Sequence, residues 1–287
     1  MTTETAVQQP GTFQVRLIDR IAHWPWWLII IAFIGLIIFA NIITDQLYAE
    51  IFRRVTGGIG TSIKVAVVAY LLAISIGLFT ALGRVAKNPI VYNLATLYVQ
   101  VIRGVPILVQ IIYVAFVITP ALVALLNAIG LALVPVLGPE NFLASMTLQD
   151  IGSEQRVTIA LAIAYGGFEA ETFRAGIESI GRGQMEAARS LGMSYLQAMR
   201  YIVLPQAIRR VLPPLGNDFV SMIKDSSLVS VLGVRDMTQE ARLYAAASFR
   251  YLETYSVLAF NYLVLTITLS LGVKALENRL GKGGKGS

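Results

Sequence analysis

The chain has 287 residues, of which 56% are hydrophobic and only 14% charged, and its formal net charge is +6. Soluble domains carry about 25% charged residues, so this composition excludes a water-soluble core and favours helices that cross a bilayer. The basic residues lie in separate loops, which argues against a nucleic-acid-binding protein and is typical of cytoplasmic loops of membrane proteins. With no cysteine and a single histidine, His23, disulfide bonds and thiolate chemistry are excluded, and a histidine-built metal or catalytic centre is disfavoured.

The N-terminal part of the chain predicts one membrane helix preceded by a polar segment. Residues 1–23 are polar and are predicted to be poorly ordered. Tryptophans at the start of region 24–56 precede the apolar run 28–43, as an interfacial aromatic anchor precedes a span. We therefore predict an additional N-terminal transmembrane helix, followed by a polar connection.

Further apolar runs predict an all-α integral membrane protein with about six transmembrane helices. The second to sixth predicted spans are 62–82, 105–126, 157–172, 211–234 and 255–273. Between them, 84–103 is predicted as a loop, and 131–150 as a loop with short helical pieces. Pro213 and Pro214 predict irregular backbone in the fifth span, and 281–287 is predicted as a basic flexible tail.

The distribution of lysine and arginine predicts the orientation. Basic residues concentrate in 84–103, in 174–210 and in the C-terminal tail, which share one side in a six-span topology. The excess of positive charge on cytoplasmic loops then places both termini in the cytoplasm. Arg53 and Arg54, in the first connection, count against this orientation.

The segment 183–205, GQMEAARSLGMSYLQAMRYIVLP, predicts two short helices on the basic side. Its first half favours a helix that ends at Gly192. Ser194 and Gln197 match a capping box that opens a second helix, and Pro205 is predicted to interrupt it. The residues alone leave two alternatives open: docking into a groove of a soluble partner, or lying on lipid head groups.

The same segment resembles the EAA loop of ABC importer permeases, in which a coupling helix docks into a cytoplasmic ATPase. The resemblance rests on Glu186-Ala187-Ala188, then Gly192, then Ile202-x-Leu204-Pro205 at the matching spacing. It implies that Glu186 contacts the ATPase, that the two alanines allow a close fit, and that Gly192 turns the chain. The implied coupling residues are Glu186, Ala187, Ala188, Arg189, Gly192, Leu204 and Pro205.

Four further stretches resemble the polar amino-acid branch of these permeases: 103–110, 171–174, 224–230 and 276–279. The resemblance implies a type I ABC importer permease domain over 57–280, with a cytoplasmic coupling loop at 179–210. It also implies a bacterial inner-membrane location, two copies of an ATPase, an extracytoplasmic substrate-binding protein, and a second permease subunit, either identical or a sister chain. The expected cargo is an amino acid, polar or charged.

Polar residues within the predicted spans are candidates for the substrate pathway, because charge in hydrocarbon is costly without a function. A zwitterion needs an acceptor for its ammonium group and donors for its carboxylate. The candidates that supply both are Glu169, Asn217, Lys224, Ser226 and Ser227. Glu171 and Arg174, spaced i,i+3, are predicted to form a structural ion pair instead.

Two other functions compete with this interpretation. A secondary transporter or channel for small polar solutes, working without an ATPase, also has polar residues inside a bundle, but it needs no docking loop and is often built from inverted repeats. An enzyme is disfavoured because the chain lacks catalytic signatures such as HExxH and GxSxG. It also lacks a GxxxxGK[ST] phosphate loop, so no cofactor is expected on this chain, and ATP and Mg²⁺ are expected on the partner ATPase.

Overall fold

The structure, a computed structural model, describes residues 26–138 and 141–282, which contain helices and turns but no strand. It divides at Glu50 into two compact units. The predicted polar segment 1–23 and the end of the predicted tail, 283–287, lie outside the described residues.

The helices follow one another with short connections. Their bounds are α1 Trp26–Thr44, α2 Gln46–Thr56, α3 Ile59–Arg84, α4 Pro89–Gly104, α5 Ile107–Tyr113, α6 Thr119–Ala132, α7 Val134–Leu137, α8 Phe142–Ser145, α9 Ser153–Glu178, α10 Arg182–Ser190, α11 Tyr195–Ala198, α12 Leu204–Asp225, α13 Met237–Ser248 and α14 Tyr251–Lys282. A π-helical turn, Val114–Ile118, joins α5 to α6, and a second, Met199–Val203, joins α11 to α12. A 3₁₀ helix, Ser226–Leu232, follows α12.

Four of the described helical segments are long and apolar enough to cross a bilayer: Trp26–Thr44, Gln46–Arg84, Ile107–Ala132 and Tyr251–Asn278. The other two predicted spans coincide with α9 and α12. At 1.5 Å per residue these helices are about 39 and 33 Å long, enough for a hydrocarbon core of about 30 Å. Their polar residues keep them below the hydropathy of the other four. The number of six spans therefore stays a prediction.

Two predicted features of the backbone are wrong. The segment 84–103 is mostly helix α4, because the Asn88 side chain accepts from the backbone N–H groups of Ile90 and Val91 and Pro89 begins the first turn. At about 24 Å, α4 is too short to cross the bilayer alone. The predicted irregularity at the two prolines of the fifth span is absent, since α12 runs through both as one helix. The irregular turns lie instead at its two ends.

The core of the larger unit is the pairing of α3 with α9, which small side chains allow to approach closely. On α3 these residues recur every three or four positions on one buried face: Ser62, Ala66, Ala69, Ala73, Gly77 and Ala81. On α9 the buried small residues include Ala160, Ala164 and Ala170. Helix α4 packs against this pair, and the Tyr98 hydroxyl donates to the Ile163 carbonyl at 2.6 Å.

The basic end of the bundle, defined by the C-termini of α3 and α9 and the N-terminus of α12, contains the segments predicted to share one side. Arg84 at the end of α3 pairs with Glu171 near the end of α9. Arg210 of α12 donates to the Ser179 carbonyl just after α9. The grouping of the 84–103 and 174–210 segments at one end of the bundle is thus confirmed.

The opposite end joins α2, α3 and α13 through polar contacts. Arg54 pairs with Glu240 at 3.0 Å, and the Met237 backbone N–H donates to the Ser62 hydroxyl at 3.3 Å. Asp236 caps α13 by accepting the Gln239 N–H at 2.8 Å. Burial raises the pKa of the Asp236 carboxyl above its usual value, despite these donors. Lys64 of α3 pairs with Glu154 of α9 at 2.7 Å.

Candidate functional site

The coupling loop folds as two short helices separated by a glycine turn, as predicted. Helix α10 ends in a Schellman motif, with the Met193 N–H donating to the Ala188 carbonyl and the Gly192 N–H to the Arg189 carbonyl. Gly192 adopts φ +84°, a left-handed conformation that favours glycine. Ser194 and Gln197 form the predicted capping box. Local sequence signals therefore determine the shape of this loop.

Exposure divides the predicted coupling residues into an outward and an inward set. Glu186, Ala187, Arg189 and Gly192 are exposed, and so are Leu204 and Pro205 at the start of α12. Ala188 retains only 4% of its accessible surface, because it faces the chain itself. The expectation that both alanines offer room to a partner is therefore wrong for Ala188 in this protomer.

Two leucines on this loop were not anticipated from the sequence. Leu191 is 85% exposed and Leu196 is 77% exposed, on either side of the Gly192 turn. Large apolar side chains this exposed at a charged end of the bundle are typical of a contact surface. The missed signal is their position: Leu191 follows the last residue of α10, and Leu196 lies two residues before the buried Ala198.

An apolar cluster ties the coupling loop to the bundle. Ile180, Val203 and Ala207 are buried together, and side chains from α10 and the second π turn pack against them. A cavity of about 440 Å³ opens beside this cluster, lined by residues that include Met185 and Met199. Contacts from α10 thereby reach Ile180, just after α9, and Ala207, near the start of α12.

The predicted Glu171–Arg174 pair is present and belongs to a larger network. Glu171 also pairs with Arg84, whose side chain is only 11% exposed, and approaches Arg103 at 3.8 Å. Arg174 pairs in addition with Glu178. The network joins the ends of α3, α4 and α9, so these residues contribute to structure at the basic end.

The pathway candidates differ in burial. Glu169 is 0% exposed and lies inside the bundle between α9 and α3. Asn217 and Lys224 are exposed on α12, whereas Ser226 is buried and donates to the Ile223 carbonyl at 2.8 Å. Ser227 is half-buried. The hydroxyl of Ser226 is therefore engaged with the last turn of α12.

Other polar side chains near Glu169 were not among the predicted pathway residues. Asp218, half-buried on α12, lies within electrostatic range of Glu169. Tyr165 donates to the Asp225 carboxylate at 2.7 Å, and the Tyr70 hydroxyl donates to the Leu215 carbonyl. The spacing of Asp218 and Asp225, seven residues apart on one helix face, is the sequence signal that could have found them.

Asn217, Ser221 and Lys224 form a polar stripe along α12, one helical turn after another. The two outer members are exposed and Ser221 is half-exposed. Polar groups at this depth are not stable against lipid tails, so such a stripe faces water or another protein surface.

Among the described residues, no group of three or more acidic or histidine side chains is arranged to hold a metal ion.

Comparisons with known proteins find similarity to membrane transport proteins. Residues 73–282 match the family model described as the binding-protein-dependent transport system inner membrane component. A probable glutamine ABC transporter permease protein of Bacillus subtilis is 38% identical over 231 residues, 80% of this chain and 95% of its own. The glutamine transport system permease protein of Escherichia coli is 34% identical, covering 71% of this chain and 83% of its own. A crystal structure of an amino acid ABC transporter with histidines matches 83% of this chain and 97% of its own, with 33% identity and a TM-score of 0.66.

Proposed function

Since the chain belongs to the family of binding-protein-dependent transport system inner membrane components, we propose that it carries an amino acid across the bacterial inner membrane as the permease of an ATP-driven importer. The family consists of transporter subunits, so the chain is a multi-pass permease and not an enzyme. Family membership also favours this function over a secondary transporter or channel. An ATPase and an extracytoplasmic binding protein are the partners that the family implies.

The observation that carries the proposal is the exposed coupling loop. Helix α10 presents Glu186 and Ala187 outward, with Leu191 beside them. This short helix and its C-cap carry a carboxylate, a small side chain and a large apolar side chain. Such a combination fits a groove in a second protein better than a lipid surface. A membrane-surface helix would carry a broad apolar face and basic residues opposite it. We assign Arg189, Gly192, Leu204 and Pro205 to the same docking surface.

The apolar cluster behind this loop suggests how a motion of α10 reaches the transmembrane helices. When two ATPase subunits close around ATP, the α10 helices of two permease subunits are drawn together. Because Ile180 and Val203 pack behind α10, the ends of α9 and α12 follow. The bundle thereby alternates between openings to the two sides, and ATP and Mg²⁺ act on the ATPase alone. The second permease subunit is another copy of this chain or a sister chain.

The polar stripe on α12 marks where the substrate passes. Asn217 and Lys224 are exposed on this chain, and a facing subunit would enclose them in a water-accessible conduit. Donors for the substrate carboxylate come from these two side chains and from Ser227, and Glu169 supplies an acceptor deeper in the bundle. Ser226 supports the turn after α12. We also propose that both termini are cytoplasmic, because lysine and arginine concentrate in 84–103, in 174–210 and in the C-terminal tail.

Relatives differ in the amino acid that their names give. Those of Bacillus subtilis and Escherichia coli described above are named for glutamine, whereas a further relative is named for L-cystine. These amino acids are all zwitterions. We therefore assign an amino acid as the substrate class.

The test is coupling to the ATPase. The permease, its ATPase and its binding protein are reconstituted in proteoliposomes, and amino acids are screened for stimulated ATP hydrolysis. Glu186→Ala is expected to abolish most of the stimulation while leaving thermal stability unchanged, because the side chain is exposed. Glu154→Ala, at the other end of the bundle, is the control and should retain it. Normal stimulation in Glu186→Ala would contradict the docking role.

A further inference from the structure

Methionines are concentrated in the coupling loop, which contains three of the seven in the chain: Met185, Met193 and Met199. Each of these three residues is partly exposed. Met222 and Met237, in contrast, are 0% exposed inside the larger unit. Reagents dissolved in water therefore reach the methionines of the loop more readily than these two.

Met185 and Met199 differ from Met193 in what they contact. Both pack against the buried apolar cluster behind α10, and both line the cavity of about 440 Å³ beside it. Among the described side chains that form the cluster or line the cavity, Met193 is absent. Two exposed residues, Glu178 and Gly181, also line the cavity, so water enters it. A small peroxide therefore has room to approach Met185 and Met199, since a water molecule occupies only about 30 Å³.

The side chain of Met185 lies on the inner face of α10. Met185 precedes Ala188 by three residues, so the two share one face of the helix, and Ala188 is buried against its own chain. Glu186 and Ala187 are exposed on the outer face. An ATPase that docks on the outer face therefore leaves the cavity side of α10 open.

The thioethers at this cavity are open to oxidation by a hydroperoxide. The sulfur lone pair attacks the terminal peroxide oxygen, and an S–O bond forms as the O–O bond breaks. The proton of the attacked oxygen passes to the leaving oxygen, which departs as water or an alcohol. Sulfur thereby loses two electrons and the peroxide gains them. The product, methionine sulfoxide, is polar where the thioether was apolar.

The cluster around these two sulfur atoms offers no partner to a sulfoxide oxygen. Its side chains are aliphatic, Ile177, Ile180 and Val203 among them, and such side chains donate no hydrogen bond. A polar oxygen held among them is destabilised. Oxidation therefore weakens the contact through which α10 reaches the bundle.

Building on the proposed function, we propose that Met185 and Met199 form an oxidation site, at which a hydroperoxide uncouples the bundle from the ATPase by converting both residues to sulfoxides. Reduction by two thiols, in which the sulfoxide oxygen leaves as water and the thiols form a disulfide, restores the apolar contact.

Peptide mass spectrometry tests whether the site is accessible in the assembled protein. The permease–ATPase complex in lipid nanodiscs is treated with hydrogen peroxide, and sulfoxide is measured over time at each methionine. Sulfoxide should form at Met185 and Met199 at least roughly ten-fold faster than at Met222 and Met237, because oxidation follows exposure. Equal rates at these four positions would overturn the proposal.

A second experiment tests the effect on coupling. The purified permease is oxidised alone, the peroxide is removed with catalase, and the importer is assembled with untreated ATPase and binding protein. The chain has no cysteine, so thiol oxidation does not contribute. Stimulation of ATP hydrolysis by the binding protein and the most active amino acid should fall at least roughly five-fold, the lower end of the effect of a buried polar group without a donor. Methionine sulfoxide reductases acting on both epimers should restore it.

Variants assign the effect to individual residues. The double variant Met185→Leu/Met199→Leu keeps the apolar volume, so oxidation should lower its stimulation by less than about two-fold. Met193→Leu should lose stimulation as the wild type does. Met185→Gln introduces a polar group without an oxidant and should lower the stimulation of the untreated importer, whereas the matched control Met193→Gln should not. The proposal is refuted by equal losses in the double variant and the wild type, by full stimulation of the oxidised wild type, or by equal effects of the two glutamine variants.

The untreated wild-type importer separates this inference from the proposed function. If no amino acid stimulates its ATP hydrolysis, the proposed function fails, and the uncoupling that rests on it fails as well. If stimulation is present and survives oxidation of Met185 and Met199, the permease function holds and the oxidation site does not.

Discussion

Replacing Gly77 by alanine tests the close packing of α3 on α9. A methyl group at Gly77 would lie 2.5 Å from the Cβ of Glu169 and 3.0 Å from the backbone nitrogen of Ala170. Non-bonded carbons are at their optimum at about 3.5–4.0 Å, so the helices must separate by about 1 Å. Backbone atoms of α9 cannot yield as a flexible side chain does. Overpacking of this kind costs about 1–3 kcal/mol, and we expect the upper part of that range.

Gly60→Ala is the matched control on the same helix, since no atom lies within 4 Å of the position that its methyl group would take. Alanine there gains up to about 1 kcal/mol of helix propensity. Gly77→Ala gains the same propensity, so the two variants should differ by the overpacking cost alone, about 2–3 kcal/mol in stability. A difference of that size corresponds to roughly 4–12 °C in Tm for a chain of this length.

The assay is thermal unfolding of purified variants in one detergent, followed by far-ultraviolet circular dichroism. Tryptophan fluorescence is unsuitable, because the three tryptophans lie at positions 24, 26 and 27, outside the unit that contains α3 and α9. Equal melting temperatures for the two variants would refute the inference that glycine is needed at position 77 for the helices to meet.

Two further predictions concern the basic end. Arg84→Gln removes one guanidinium group from the buried network around Glu171. The free energy of unfolding should fall by about 1–3 kcal/mol in the same assay, because Arg174 still pairs with Glu171. A wild-type melting temperature would show that the pair of Arg84 and Glu171 contributes no net stability. Leu191→Ala should leave the melting temperature unchanged and weaken capture of the purified ATPase. Leu252 is similarly exposed at the opposite end, and Leu252→Ala should capture the ATPase as the wild type does. Equal capture by the two variants would exclude Leu191 from the docking surface.

Much of the local structure could be predicted from the sequence because its causes are local. The glycine turn at Gly192 and the capping box at Ser194 depend on residues within a few positions of each other. The membrane helices follow from runs of apolar residues, and the structure extends several of them at both ends. The coupling loop could therefore be predicted with nearly its observed bounds.

Predictions failed where neighbouring helices decide the outcome. Pro213 and Pro214 are poor helix residues by themselves, yet α12 stays helical through them, packed between α9 and α14. Ala188 faces its own chain rather than outward. Neither result follows from the helix propensities of the residues themselves, because both depend on which side of a helix packs against another helix.

By itself, the sequence determined that this chain is a helical membrane protein with two short helices on either side of a turn at Gly192, because hydrocarbon requires long apolar helices and turns depend on adjacent residues. Only the tertiary structure decided which polar residues share a space. Tyr165 comes from α9 and Asp225 comes from α12, and the hydrogen bond between them forms only when these helices pack together. Electrostatic and hydrogen-bond energies depend on distance in space rather than along the chain, so no pattern within one helix could have shown that Tyr165 and Asp225 meet.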